Sequence, residues 1–418
     1  MILTTEKGIR NTVEEAIENQ EITDIHTHLF SPNFGDILLW DIDELLTYHY
    51  LVAEVMRWTD MDPALFWRME EKEQAELIWQ KLFVERTPVS EAARGVLTTL
   101  KEMGIDPKTK NLDTYRAEFA GRTAEAQVGA VMKQANVSNI VMTNDPFDEQ
   151  ERAIWLEGTR PQDAFHAVLR IDPLLNDFQN TKEKLREWGY EVQDDWNGGT
   201  IKEVNRFLED WIEIMNPLYM AVSLPPSFAY PEESDRGRVI RDCILPVTKK
   251  HNIPFALMIG VKKRVNPDLI DAGDFVGKAD IRALENLLAE NQENKFLVTM
   301  LSRENQHELA VLARKFRHLM IFGCWWFMNN PVIVNEVTRM RLELLNTSFI
   351  PQHSDARVLE QVVYKWRHTK TVLKDVLTEK YEDVRSTGWP VAKEDIQKDI
   401  AAMFHENFWN FLEKDYRK

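Results

Sequence analysis

From Ser138 onward, short apolar runs rich in β-branched and aromatic residues alternate with charged stretches whose apolar positions recur every three or four residues. That alternation is the pattern of parallel strands joined by crossover helices. The runs are Ser138–Asn144, Phe165–Ile171, Leu218–Leu224, Pro254–Gly260, Lys295–Leu301, His318–Trp325 and Thr347–His353, which makes seven strands. An eighth lies near the N-terminus at Thr23–Phe30. The residues between it and the second strand read as helical, most clearly at Trp40–Trp58, Pro63–Leu82 and Ala124–Ala135.

Eight strands with one large insertion after the first predict a (β/α)8 TIM barrel spanning residues 1–418, with residues 31–136 as a helical subdomain over its mouth. The rival, an open doubly wound sheet serving a nucleotide, would need a glycine-rich phosphate turn after a strand. Neither G-x-G-x-x-G nor G-x-x-x-x-G-K-[ST] occurs. Residues Ile396–Leu412 read as a closing amphipathic helix.

Charge narrows the partners. Against 51 Lys and Arg stand 68 Asp and Glu, a net charge of −17, with no basic stripe to follow a phosphate backbone. No nucleic-acid partner is expected. An acidic chain can still bind an anionic metabolite if a few arginines are focused in one pocket. No uncharged apolar run is long enough to span a bilayer, and the first residues carry neither an apolar signal core nor transit character. Two cysteines, Cys243 and Cys324, suit a reducing compartment, so the expectation is cytoplasmic. A homo-oligomer is compatible with all of this.

The strongest local signal is Asp24-Ile25-His26-Thr27-His28. Residues two apart on a strand share a face, so both imidazoles aim into the barrel, where a divalent metal suits them. Two polar core histidines are the plainer alternative. Ser354-Asp355-Ala356-Arg357 follows the last strand, and first and last strands become neighbours when a barrel closes. Asp355 can therefore complete a site with His26 and His28, although alone it reads as a cap for a helix starting at Val358. Arg357 would then lie in that helix's first turn, where a cation opposes the dipole.

These residues, with His49-Tyr50, Thr143-Asn144-Asp145-Pro146, Arg170 and Gly323-Cys324-Trp325-Trp326-Phe327 in the same order, resemble the uronate isomerases of the amidohydrolase superfamily. The likeness runs from about Thr23 to the C-terminus. Two departures mark a divergent branch. Met258-Ile259-Gly260 stands where the better-known branch has a histidine before Ile-Gly, and Ser223-Leu224-Pro225-Pro226 stands where it has an Asp-His pair.

The resemblance implies aldose–ketose isomerisation of hexuronates, D-glucuronate to D-fructuronate and D-galacturonate to D-tagaturonate. One divalent metal ion, zinc by resemblance, would be held by His26, His28 and Asp355. Asp355, Tyr50 and Arg357 would carry proton transfer and charge stabilisation, while Arg170, Arg303, His49 and Trp326 would bind the substrate. Two other readings remain open at this point. One is a metal-dependent hydrolase of an acidic lactone, amide or ester; the other is a non-catalytic uronate sensor. His353 is a candidate to support a metal ligand, and His166, His251, His307, His318, His368 and His405 fall away from the catalytic end.

Overall fold

The computed structural model describes residues 1–417. Ten strands form: β1 Ile22–Thr27, β2 Val137–Met142, β3 Phe165–His166, β4 Leu169–Arg170, β5 Met220–Leu224, β6 Phe255–Ile259, β7 Val261–Lys262, β8 Phe275–Val276, β9 Phe296–Met300 and β10 Leu319–Ile321. Parallel ladders join β1-β2-β3 and, separately, β10-β9-β6-β5-β4, while β7 and β8 make a small antiparallel ribbon.

The two parallel sheets are continuous through hydrogen bonds outside the regular ladders. The Asn144 N–H donates to the Val168 carbonyl and Arg170 N–H donates to the Asn144 carbonyl, both at 2.9 Å, which links β2 to β4. On the other side Ile350 bridges Phe322, just past β10. Asp355 N–H then donates to the His26 carbonyl at 3.1 Å, and His28 N–H to the Ala356 carbonyl at 2.7 Å. The ring thus runs from β1 around to β10 and returns to β1, a TIM-type arrangement.

Two expected strands depart from regular form for an identifiable reason. Phe165–Ile171 breaks at Ala167-Val168, where the Asn144 side chain, not a neighbouring backbone, accepts the Val168 N–H at 3.3 Å. Thr347–His353 never becomes a regular strand. Side chains take over its ladder: Gln352 Oε1 accepts the Cys324 N–H at 3.0 Å and Asp24 Oδ1 accepts the Ser354 N–H at 2.9 Å. Both sites satisfy backbone donors with side-chain oxygens in place of a neighbouring strand's carbonyls. The remaining strands are shorter than expected by a residue or more, β1 stopping at Thr27 and β10 at Ile321.

Three layers of packing position the site. Ile25, Val141, Val168, Ala221, Ala256, Met258, Leu297 and Phe322 fill the barrel interior. The outer faces of the same strands pack against the surrounding helices. At the end away from β1's histidines, Phe408 and Phe411 join the interior cluster and Trp409 Nε1 donates to Thr23 Oγ1 at 3.0 Å, so the C-terminal segment plugs the barrel floor. Each of those buried phenylalanines contributes about 1.5–3 kcal/mol of burial.

Between β1 and β2 every element is helical, and these helices enclose a core of their own, including Leu46, Val52, Phe66, Trp79, Val96 and Tyr115. The stretch Trp40–Trp58 is two helices, Ile42–Thr47 and His49–Val55, broken at Tyr48, whose backbone is extended (φ −61°, ψ 141°). That break aims Tyr48 and His49 at the barrel mouth.

Candidate active site and metal centre

The C-terminal ends of the strands and the insertion enclose a cavity of about 430 Å³. His26, His28, Tyr48, His49, Asp145, Arg170, Asp172, Ser223, Met258, Lys263, Trp326, Asp355 and Arg357 all line it.

Position on β1 places both imidazoles inward, as residues 26 and 28 share a face. Asp355 meets them from the far side of the ring closure, with its Oδ1 3.9 Å from His26 Nε2 and 3.5 Å from His28 Nε2. One ligand atom from each of the three residues lies within 4.8 Å of the others. Asp355 is no helix cap. Its backbone is left-handed (φ 52°), a conformation Asp tolerates better than most residues, and the helix that follows begins only at Gln361. Arg357 consequently precedes that helix rather than sitting in its first turn; its N–H donates to Gln361 Oε1 at 2.9 Å.

Electrostatics prepares these groups for a cation. Burial holds both imidazoles below their ordinary pKa, His26 strongly, so each is neutral at pH 7. Burial alone would push the Asp355 carboxyl up, but positive charge around it, the buried Lys365 among its sources, holds it below the usual carboxylate range. Asp355 Oδ1 is buried with no hydrogen-bond partner. Two neutral imidazoles and an unpartnered carboxylate oxygen converging in one pocket are a donor set that fits a divalent metal.

Other buried groups steady the three. Asp24 Oδ2 accepts Trp366 Nε1–H at 2.9 Å while its Oδ1 holds Ser354, and burial raises its pKa to about 6 against those hydrogen bonds. Lys365, also buried, donates to the Ser354 carbonyl at 2.6 Å. His353 packs edge-on against His26, ring centroids 5.4 Å apart, with both nitrogens buried and unpartnered. Gly323 makes room for it: a Cβ there would fall 1.8 Å from His353 Nδ1, and the glycine's φ is +62°.

The predicted substrate residues divide. Arg170, at the end of β4, lines the cavity and pairs with Asp172 through Nε–Oδ2 at 2.9 Å and Nη2–Oδ1 at 3.1 Å. Its Nη1 makes no hydrogen bond among the described residues. Arg357 stands half-exposed at the mouth, 3.9 Å from Asp271. His49 and Trp326 meet edge-on at 5.4 Å, and His49 Nε2 and Trp326 Nε1 are both buried and unpartnered. Burial lowers the His49 pKa to about 3.

Two predicted residues are placed differently. Arg303 lies outside the cavity, in an exposed bidentate pair with Glu336 at 2.9 and 2.8 Å, because the short turn Arg303–Asn305 carries it outward. Tyr50 is buried against Tyr48 and His49 and is absent from the cavity lining, where Tyr48 stands instead. Burial pushes the Tyr50 phenol well above 10, so it keeps its proton.

Several lining residues went unmarked in the sequence: Tyr48, Asp145, Asp172, Lys263 and Asp274. Asp172 was the most readable, standing two residues after an arginine at a strand end. Asp145 sat inside a quoted motif; burial raises its pKa to about 6 although Arg170 opposes this. Lys263 pairs with the buried Asp274 at 2.7 Å and lies 5.7 Å from the Trp326 ring, a contact made by the β7–β8 ribbon that no periodicity announces. At the two departures, Ser223 N–H donates to Asp172 Oδ1 at 3.3 Å, and Met258 is a buried apolar wall.

No protein-family model and no curated protein matches the sequence. Among solved structures, the chain is similar to a uronate isomerase from Bacillus halodurans, with 64% identity, 99% of this chain and 98% of that one covered, and a TM-score of 0.97. A uronate isomerase from Thermotoga maritima (15% identity, TM-score 0.79, 99% and 100% covered) and a glucuronate isomerase from Caulobacter crescentus (14%, 0.78, 99% and 95%) share the fold.

Proposed function

Because this chain belongs to the uronate isomerase family, we propose that it interconverts aldo- and keto-hexuronates by moving a proton between C2 and C1. It is an isomerase, and the observation that carries the reading is the 64% identity over nearly the whole of both chains, joined to a cavity with cations at its edge and a metal-fitting triad at its base.

His26, His28 and Asp355 would hold the cation, with zinc the ion proposed. When bound, such an ion supplies a positive charge that draws electron density from the C1 and C2 oxygens and eases loss of the C2 proton. The protein's own groups supply the rest. Arg170, fixed by Asp172, offers its free Nη1 hydrogens to the C6 carboxylate, and that contact sets the direction of the sugar in the cavity. His49 is neutral throughout the working range, and its unpartnered Nε2 is suited to accept a hydrogen bond from a substrate hydroxyl and so orient the sugar.

Asp355, one of the three residues that would hold the ion, presents a carboxylate in the cavity and is the group proposed to carry the proton from C2 to C1. Arg357 and the Trp326 Nε1–H face the developing enediolate charge. Tyr50, whose buried phenol keeps its proton and lies off the cavity lining, does not act as a base. Arg170 and Arg357 on one cavity would serve a hydrolase of an acidic substrate equally well, so it is membership of the isomerase family that favours isomerisation.

No helix among the described residues is long and apolar enough to cross a membrane. The cytoplasm is the proposed location, and one barrel domain carrying residues 31–136 as a helical subdomain is the proposed organisation.

Proton NMR of the protein incubated in D2O with glucuronate and with galacturonate, before and after chelation, tests the reaction. Keto-uronate signals are expected, with deuterium at C1 of the product and at C2 of the aldose re-formed by the reverse reaction. A protein that binds zinc yet leaves both sugars unchanged would overturn the reading.

A further inference from the structure

Each imidazole of the β1 pair is backed by a hydroxyl whose single hydrogen is already committed. The Tyr219 hydroxyl, buried just ahead of β5, donates to the Ile25 carbonyl at 2.7 Å and lies 3.1 Å from His26 Nδ1. Thr143 Oγ1, just past β2, donates to the Thr27 carbonyl at 2.8 Å and lies 3.0 Å from His28 Nδ1. A hydroxyl has one hydrogen, and a carbonyl oxygen has none to give back. Toward each imidazole the hydroxyl can therefore only accept, and the hydrogen between them must belong to Nδ1.

From this pair of contacts we infer that Tyr219 and Thr143 are positioning residues that fix both histidines as Nδ1–H tautomers, each with a bare Nε2 lone pair facing Asp355. A rival arrangement would put a hydrogen on His28 Nε2 and aim it at Asp355 Oδ1. That separation is 3.5 Å, beyond ordinary N–H···O range, whereas both Nδ1 contacts fall within it. With neither Nε2 carrying hydrogen, three acceptors face one another and no donor stands between them, which accounts for the unpartnered Asp355 Oδ1. The hydroxyls come from different places in the barrel, Thr143 beside β2, which pairs with β1, and Tyr219 beside β5, which does not, so the device is built twice, independently.

This deepens the metal-centre reading and rests on it only for affinity; the tautomers follow from the hydroxyls alone. Long-range 1H–15N spectra of metal-free protein labelled with [15N]histidine, at pH 7.5, read them directly, with His26→Asn and His28→Asn assigning the signals. Hydrogen on Nδ1 in both residues is expected, and hydrogen on Nε2 in either overturns the inference. Tyr219→Phe and Thr143→Val, each checked for native circular dichroism, should release the corresponding ring to the Nε2–H form and weaken zinc binding about 10- to 100-fold in chelator competition.

Thr143→Ser, which keeps the hydroxyl, should restore both signals. Unchanged tautomers and zinc affinity in the phenylalanine and valine variants would overturn the assignment. If Tyr219→Phe fails to fold, the wild-type spectrum and the Thr143 pair decide. Nδ1–H tautomers in a protein that takes up no zinc would sustain the inference and defeat the metal centre instead.

Discussion

The barrel wall and the helical insertion each furnish part of the cavity, yet they hold their side chains by different means. His26, His28 and Asp355 ride on backbone that is itself hydrogen-bonded across the ring closure. Tyr48 and His49 come from a break between two short helices, whose core is largely separate from the barrel's. They are tied to the barrel by a backbone bond, the Leu359 N–H donating to the Leu39 carbonyl at 3.0 Å, and by side chains such as Glu360, which accepts from Gln127 Nε2 at 2.7 Å and from the Asp41 N–H at 3.2 Å. Rigid ladders suit a metal centre, which needs ligands placed to within fractions of an ångström; a separately packed cover suits groups that meet a flexible sugar.

The largest effect should come from breaking the wall side. Asp355→Asn removes the charged member of the triad and leaves an amide hydrogen aimed among acceptors. We expect zinc content in purified protein to fall to background and kcat/KM to drop about 10³-fold or more, the scale of losing a charge that acts at the reacting atoms. Chelated wild-type protein should match it, and re-addition of zinc should rescue the wild type but not the variant. Full activity after chelation would remove the metal from the wall's account.

Smaller, and sharper as a comparison, is the contrast between two strand-end arginines. Arg170→Lys keeps the charge but loses the fork that Asp172 grips, and should cost about 10- to 100-fold in kcat/KM, mainly through KM. Arg303→Ala deletes an exposed ion pair outside the cavity and should change kcat/KM by less than about twofold. Steady-state kinetics on both variants separates them; equal losses would mean that Arg303 reaches the substrate after all.

That contrast also marks how far the sequence was readable. Alternating apolar runs and helix-periodic stretches show the ring of strands because burial imposes those periods, and the face shared by His26 and His28 follows from the two-residue repeat of a strand. Arg170 and Arg303 look alike in sequence, each a cation just past an apolar run. Whether such a residue turns inward depends on the turn that follows: Arg170 is caught by Asp172, while Arg303 enters a short helical turn that faces Glu336.

The strand at Thr347–His353 looked regular because its composition is that of a strand. Its ladder was displaced by Gln352 and Asp24 side chains, a competition between partners that only tertiary proximity decides. In the insertion, helical periodicity was legible but the break at Tyr48 was not, so Tyr50 was expected to face the cavity that Tyr48 and His49 line.

The tie between insertion and barrel can be weighed by pH. Burial raises the Glu360 carboxyl to about 7, although Gln127 and the Asp41 N–H pull it back, so in the folded protein it holds a proton that the unfolded chain releases near 4.5. A carboxyl shifted upward stabilises the fold fully below about pH 4.5 and progressively less as pH rises through 7, because the native state then must ionise a buried group. The span corresponds to a penalty on the order of 3 kcal/mol at pH 8. Glu360→Gln cannot ionise and still accepts from Gln127, but it turns amide hydrogens toward the Asp41 N–H and should lose about 1 kcal/mol at low pH. Urea unfolding from pH 4.5 to 8 should therefore show the variant weaker than wild type at the acid end and gaining on it steadily, with the curves crossing at about pH 5. Parallel curves would mean that Glu360 titrates in the fold as it does in the unfolded chain, and that no neutral carboxyl clasps the insertion to the barrel.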